Sequence, residues 1–124
     1  MSPTLVTAII SALWTLESGR AVFPPDGKDG EVGPLQIKQS FIQEVNKGLS
    51  LKNKFYDWDR KDLFQSKKIV SVWLNQRWKD AGEKNLEQIG LEWNCGRTGS
   101  LAPTPRQVEY SKKFAALVRE EMKK

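Results

Sequence analysis

The chain has 124 residues, 39% of them hydrophobic and 28% charged, with a formal net charge of +5 and a sequence pI near 9.4. That length suits one domain, residues 1–124, built around a single core, and no apolar run reaches the roughly 18 residues of a membrane span. Histidine is absent, which excludes His-based nucleophilic triads and the usual zinc sites. The lone cysteine, Cys95, excludes an internal disulfide and has no imidazole to activate it.

Ser2 and Pro3 form a cap and first turn for a helix running to about Glu17. Val6, Ile10, Leu13 and Glu17 fall on one face of it, so a carboxylic acid closes an otherwise apolar stripe just before Gly19 stops the helix. A carboxyl group half-withdrawn from water holds its proton to higher pH, the property a general acid requires. The competing reading is a helix-end carboxylate that reaches into solvent. The apolar stretch from Leu5 to Leu16 is not read as a signal peptide, because no Lys or Arg precedes it and no cleavage site follows.

From Gly19 to Lys38 the pattern breaks at Pro24, Pro25, Gly27, Gly30 and Gly33, leaving room for turns and short strands. This is the one candidate β segment. Ser40 with Gln43 gives a capping-box pattern for a short helix ended by Gly48. Asp59 or Lys61 opens a central helix through Leu63, Val70, Trp73, Leu74 and Trp78, ending before Gly82. Asn85 with Gln88 repeats the capping pattern for a helix reaching Trp93, and a loop runs from Asn94 to Thr104. Thr104, Pro105 and Gln107 then cap the last helix, whose face is Val108, Ser111, Ala115, Val118 and Met122. The expected fold class is α+β, mostly α, with a small β segment after the first helix.

Net positive charge makes an anionic partner plausible, whether nucleic acid, acidic membrane or cell-wall polymer. The basic residues are spread along the chain apart from Lys67 with Lys68 and Lys123 with Lys124, and no nucleic-acid-binding motif is visible. The acidic residues between Asp26 and Glu31 lack calcium-loop spacing, so neither a metal nor an organic cofactor is expected.

Three segments place polar groups beside glycine, where a ligand can approach the backbone. They are Glu17-Ser18-Gly19, Gly33-Pro34-Leu35-Gln36-Ile37 and Trp93-Asn94-Cys95-Gly96. Their order and spacing resemble the lysozyme-like superfamily, specifically its soluble lytic transglycosylase and goose-type lysozyme group and the small bacterial or phage-type members. Asp59-Arg60 also finds a counterpart there, while Cys95 stands where Gly or another small residue is common.

The resemblance implies a lysozyme-like fold and cleavage of the β-1,4 bond between N-acetylmuramic acid and N-acetylglucosamine in peptidoglycan, with Glu17 as the acid. It implies substrate-binding roles for Ser18, Gly33, Gln36 and Asn94, and a place in the cleft for Tyr110. All but Gln36 have a plainer alternative: a turn residue for Ser18 and Gly33, a helix C-cap for Asn94, core packing for Tyr110. In the transglycosylase form Glu17 alone suffices, acting first as acid and then as base. A hydrolytic form needs a second carboxylate to hold water, at roughly 6.5 to 9.5 Å in an inverting enzyme, and Asp26 and Asp29 are the candidates. A non-catalytic wall-binding module is the alternative from another class, and chitin is a second possible substrate. The expected partner is the wall polymer, met by a monomer in the periplasm or outside the cell; with no signal peptide visible, the chain is expected to be phage-encoded or to lack its leader.

Overall fold

The structure, a computed structural model, describes residues 1–124. Its elements are α1 (Pro3–Ser18), α2 (Gln39–Lys47), α3 (Leu63–Arg77), α4 (Leu86–Gly99) and α5 (Pro105–Met122), with short 3-10 turns at Leu51–Asn53, Asp57–Lys61 and Glu83–Asn85. No helix is long and apolar enough to cross a membrane. The chain divides into two compact units, one made of Met1–Ala12 with Asp80–Lys124 and the other of Leu13–Lys79.

In the first unit, Ser2 starts α1 as expected: its Oγ accepts from the Leu5 amide at 3.2 Å and Pro3 fills a position with no helical donor to lose. Helices α4 and α5 pack against each other. Gly90 allows this, because a Cβ there would run into the Phe114 ring and the Ser111 backbone. Thr104 and Gln107 form the expected capping box, with the Thr104 amide donating to Gln107 Oε1 at 2.8 Å and the Gln107 amide to Thr104 Oγ1 at 3.3 Å. The buried face of α5 is Ser111, Phe114, Ala115 and Val118; Val108 and Met122 are only half-buried, so the face is centred on Phe114. Helix α4 extends past Trp93 and is broken at Gly96, where φ is 75° and ψ 173°. Asn94 thus lies in its last regular turn and not in a loop. Asn85 does not cap α4 with its side chain; its Oδ1 instead accepts from the Gly82 amide at 3.0 Å.

In the second unit the buried hydrophobic side chains are Leu13, Val32, Leu35, Ile37, Ile42, Val45, Ile69, Val70, Trp73 and Leu74. Helix α3 starts at Leu63, later than expected, because Asp62 supplies the cap, accepting from the Gln65 amide at 2.8 Å. Ser40 lies inside α2, whose N-cap is Lys38 without a side-chain bond. Phe41 of α2 packs on Trp73 of α3 with ring centroids 5.3 Å apart.

The β segment expected after the first helix is not present, and the fold is all-α. Val32 and Ile37 form a single antiparallel bridge, exchanging amide hydrogen bonds of 3.1 and 3.0 Å around the turn Gly33-Pro34-Leu35-Gln36. A strand fails for a physical reason: Pro and Gly recur every few residues, Pro34 has no N–H to give, and one paired residue on each side makes no ladder.

Arg60, 7% exposed, fastens this turn from below. Its Nη1 donates to the carbonyls of Ile37 at 2.8 Å and Gly30 at 3.1 Å, its Nε to Asp57 O at 3.1 Å, and its Nη2 pairs with Asp57 Oδ1 at 3.0 Å. The Arg60 carbonyl in turn takes a 2.8 Å bond from Ser66 Oγ at the start of α3. It also occupies the space that a Cβ on Gly33 would need, and Gly33 has φ of +82°, so two independent constraints demand glycine there.

Candidate active site

Glu17 lies half-buried in the last turn of α1, within the Leu13–Lys79 unit. The buried residues of α1 are Leu5, Ala8, Ile9, Ile10, Ala12 and Leu13, at 4, 4, 0, 9, 1 and 0% exposure, while Val6 is half-buried, which centres the buried face on the Ala8, Ala12 and Ile9 side. Glu17 therefore sits at the margin of the apolar stripe and not at its centre, where the helix dipole presents its negative end.

The backbone beyond Glu17 is held tightly. Gly19 and Arg20 both adopt left-handed conformations, with φ of 63° and 68°, and their amides return to the carbonyls of Thr15 at 3.0 Å and Trp14 at 3.1 Å. Trp14, one turn before Glu17, donates its indole N–H to the Ala21 carbonyl at 2.8 Å. The guanidinium of Arg20 and the ammonium of Lys67 lie 4.5 and 4.9 Å from the Trp14 ring centroid. Two cations thus gather beside the helix end that carries the acid.

Ser18 joins the first two sequence motifs. Its Oγ is 2.7 Å from the Pro34 carbonyl, against 3.4 Å from those of Trp14 and Ala21, and a hydroxyl has one proton, so Pro34 receives it. The Glu17-Ser18-Gly19 segment is thereby tied to the Gly33–Ile37 turn. Ser18→Ala leaves the Pro34 carbonyl without this donor and is expected to cost about 1 kcal/mol, read as a lowered midpoint in urea unfolding.

Gln36 adopts φ of 51°, unusual for a residue with a Cβ. Its side-chain amide donates to the carbonyls of Gly33 at 2.9 Å and Pro25 at 3.3 Å, so the donor end of Gln36 orders the loop. Asp26 and Asp29 are both exposed, and neither side chain is held by a hydrogen bond or ion pair.

Asn94 on α4 is exposed and Tyr110 on α5 is half-buried, both in the other unit. Next to Asn94, the Cys95 thiol donates to the Leu91 carbonyl at 2.9 Å, and burial raises its pKa. The folded thiol is therefore held in its protonated form, and alkylation by iodoacetamide at pH 7.5 is expected to run slower than in the urea-unfolded chain. Because the folded pKa is the higher one, this contribution to stability is intact below the ordinary thiol range and declines as pH rises through it.

No three His, Cys, Asp or Glu side chains are placed to share a metal ion. Arg60 is the residue whose importance the sequence concealed: in the run Asp57-Trp58-Asp59-Arg60-Lys61-Asp62 it looks like one more solvated charge. Comparison with protein-family models, curated proteins and solved structures finds no match to this chain.

Proposed function

We propose that the protein is a peptidoglycan-cleaving glycosidase of the lytic transglycosylase type and a member of the lysozyme-like superfamily, with Glu17 as its acid. The observation that carries this reading is the 2.7 Å bond from Ser18 to Pro34, which links the Glu-Ser segment to the Gly-x-Leu-Gln-Ile segment within one compact unit. Two motifs separated in sequence converge on the end of the helix that bears a half-buried carboxyl group.

In this mechanism Glu17 protonates the glycosidic oxygen as the bond from C1 to that oxygen breaks. The resulting carboxylate then takes the proton from the sugar's own 6-hydroxyl as O6 bonds to C1, closing a 1,6-anhydro ring. Water is not consumed, and the acid is regenerated. The exposed, unheld state of Asp26 and Asp29 favours this route over hydrolysis, because a water-positioning carboxylate works best when its geometry is fixed beforehand. The positive net charge suits a polyanionic wall at the cell surface or in the periplasm.

The test is release of soluble fragments from purified peptidoglycan, with chitin run in parallel. Fragments from peptidoglycan support the reading; release from chitin alone moves the substrate, and release from neither rejects the glycosidase.

A further inference from the structure

Tyr56 and Trp58 stand out from the other aromatic residues because they are 61% and 65% exposed yet stacked on each other, with centroids 4.6 Å apart and planes 5° from parallel. Mutual stacking holds both rings in place while their exposure leaves aromatic surface open to a ligand, so the fixed pair is suited to recognition.

The backbone beneath the pair is fastened at several points. Asn46 brackets Phe55, donating from Nδ2 to its carbonyl at 2.9 Å and accepting from its amide at 2.8 Å. The Tyr56 amide donates to Asp59 Oδ2 at 2.7 Å, and Arg60 grips Asp57 through both side chain and carbonyl. Through Arg60 the same segment is bound to the Gly33–Ile37 turn, and through Pro34 to Ser18.

We infer that the Tyr56–Trp58 pair is a binding platform for a glycan strand of N-acetylhexosamines. Aromatic faces accept the C–H face of a pyranose ring, and Asp57, between Tyr56 and Trp58 in the sequence, adds a hydrogen-bond acceptor that favours a sugar. Its side chain is 53% exposed with one oxygen paired to Arg60, leaving the other to accept from a sugar hydroxyl or N-acetyl N–H. An acceptor there suits a ligand rich in hydroxyl and N-acetyl N–H donors, whereas phosphodiester oxygens have no proton to give it, which favours a glycan over a nucleic-acid backbone. Lys52, Lys54 and Lys61 flank the platform in sequence and suit the carboxylates of wall stem peptides. The inference extends the proposed wall glycosidase from cleavage to retention on the polymer, and it is read by binding so that the two can fail separately.

The experiment is co-sedimentation of the full chain with insoluble peptidoglycan and with chitin, beside a poly-dT binding assay, for wild type, Trp58→Ala, Tyr56→Ala and Trp58→Phe. Circular dichroism confirms folding, which these exposed sites should not disturb. Sedimentation with at least one glycan is expected to weaken about tenfold or more in both alanine variants and to recover substantially in Trp58→Phe. Unchanged sedimentation in Trp58→Ala overturns the platform, as does loss confined to poly-dT. If the alanine variants lose binding while Glu17→Gln still cleaves, the platform stands and the catalytic reading falls; if cleavage needs Glu17 and the alanine variants bind normally, the reverse holds.

Discussion

Replacing Glu17 with Gln is expected to lower release of soluble fragments from peptidoglycan by about 10²–10⁴-fold, the usual contribution of a positioned general acid. Gln preserves the size of the side chain and its capacity to hydrogen-bond but has no transferable proton, so both halves of the proposed cycle lose their catalyst. Glu17 is half-buried at the margin of the α1 stripe, and an isosteric amide there should leave the thermal midpoint within a few degrees of wild type. Retained lysis in the folded variant rejects Glu17 as the acid. Asp26→Asn and Asp29→Asn serve as the contrast: on the transglycosylase route each retains most of the activity, because neither exposed side chain takes part.

Arg60→Ala is expected to be strongly destabilising, costing about 3 kcal/mol, since it strips donors from three backbone carbonyls and leaves Asp57 without its partner. At about 3–4 °C per kcal/mol for a chain of this size, the thermal midpoint should fall by roughly 10 °C. Activity should fall in the same variant, because the turn that Ser18 holds is the turn that Arg60 anchors. Arg60→Lys keeps the charge but lacks the planar fork that reaches Ile37, Gly30 and Asp57 together, so it should recover less than half of the loss. A midpoint unchanged by Arg60→Ala contradicts the anchoring role.

Capping chemistry was the most legible part of the sequence. Thr104, Pro105 and Gln107 define the start of α5, and Ser2 with Pro3 the start of α1, because a cap is a local interaction complete within four residues. The same pattern misled at Ser40, which lies inside α2 behind a Lys38 that lends no side-chain cap, and at Asn85, whose side chain turns back to the Gly82 amide. The β segment was misread because turn residues mark where a chain reverses, not whether strands flank the reversal. Phe114 was overlooked since Ala115, beside it, satisfies the same helical spacing.

At the candidate site, the position of Glu17 at a helix end was readable from periodicity, but its marginal place on the stripe was not. Gly33 was expected to open the backbone to a saccharide; its own fold already requires glycine, because the Arg60 carbonyl fills the Cβ position. Gln36 was expected to offer its amide to a sugar, and that amide orders the loop through Pro25 and Gly33. Neither role could be inferred from sequence alone, since each depends on a contact with a residue far along the chain or on a turn geometry that spacing does not encode.

If Glu17 serves a glycan-cleaving site in which the sugar attacks itself, the released fragments carry the mark of that attack at their ends. Mass spectrometry of the fragments released from purified peptidoglycan by the wild-type chain tests it most directly. The transglycosylase route yields 1,6-anhydro ends that are absent from Glu17→Gln digests; reducing ends, or no fragments at all from the wild-type chain, would overturn it.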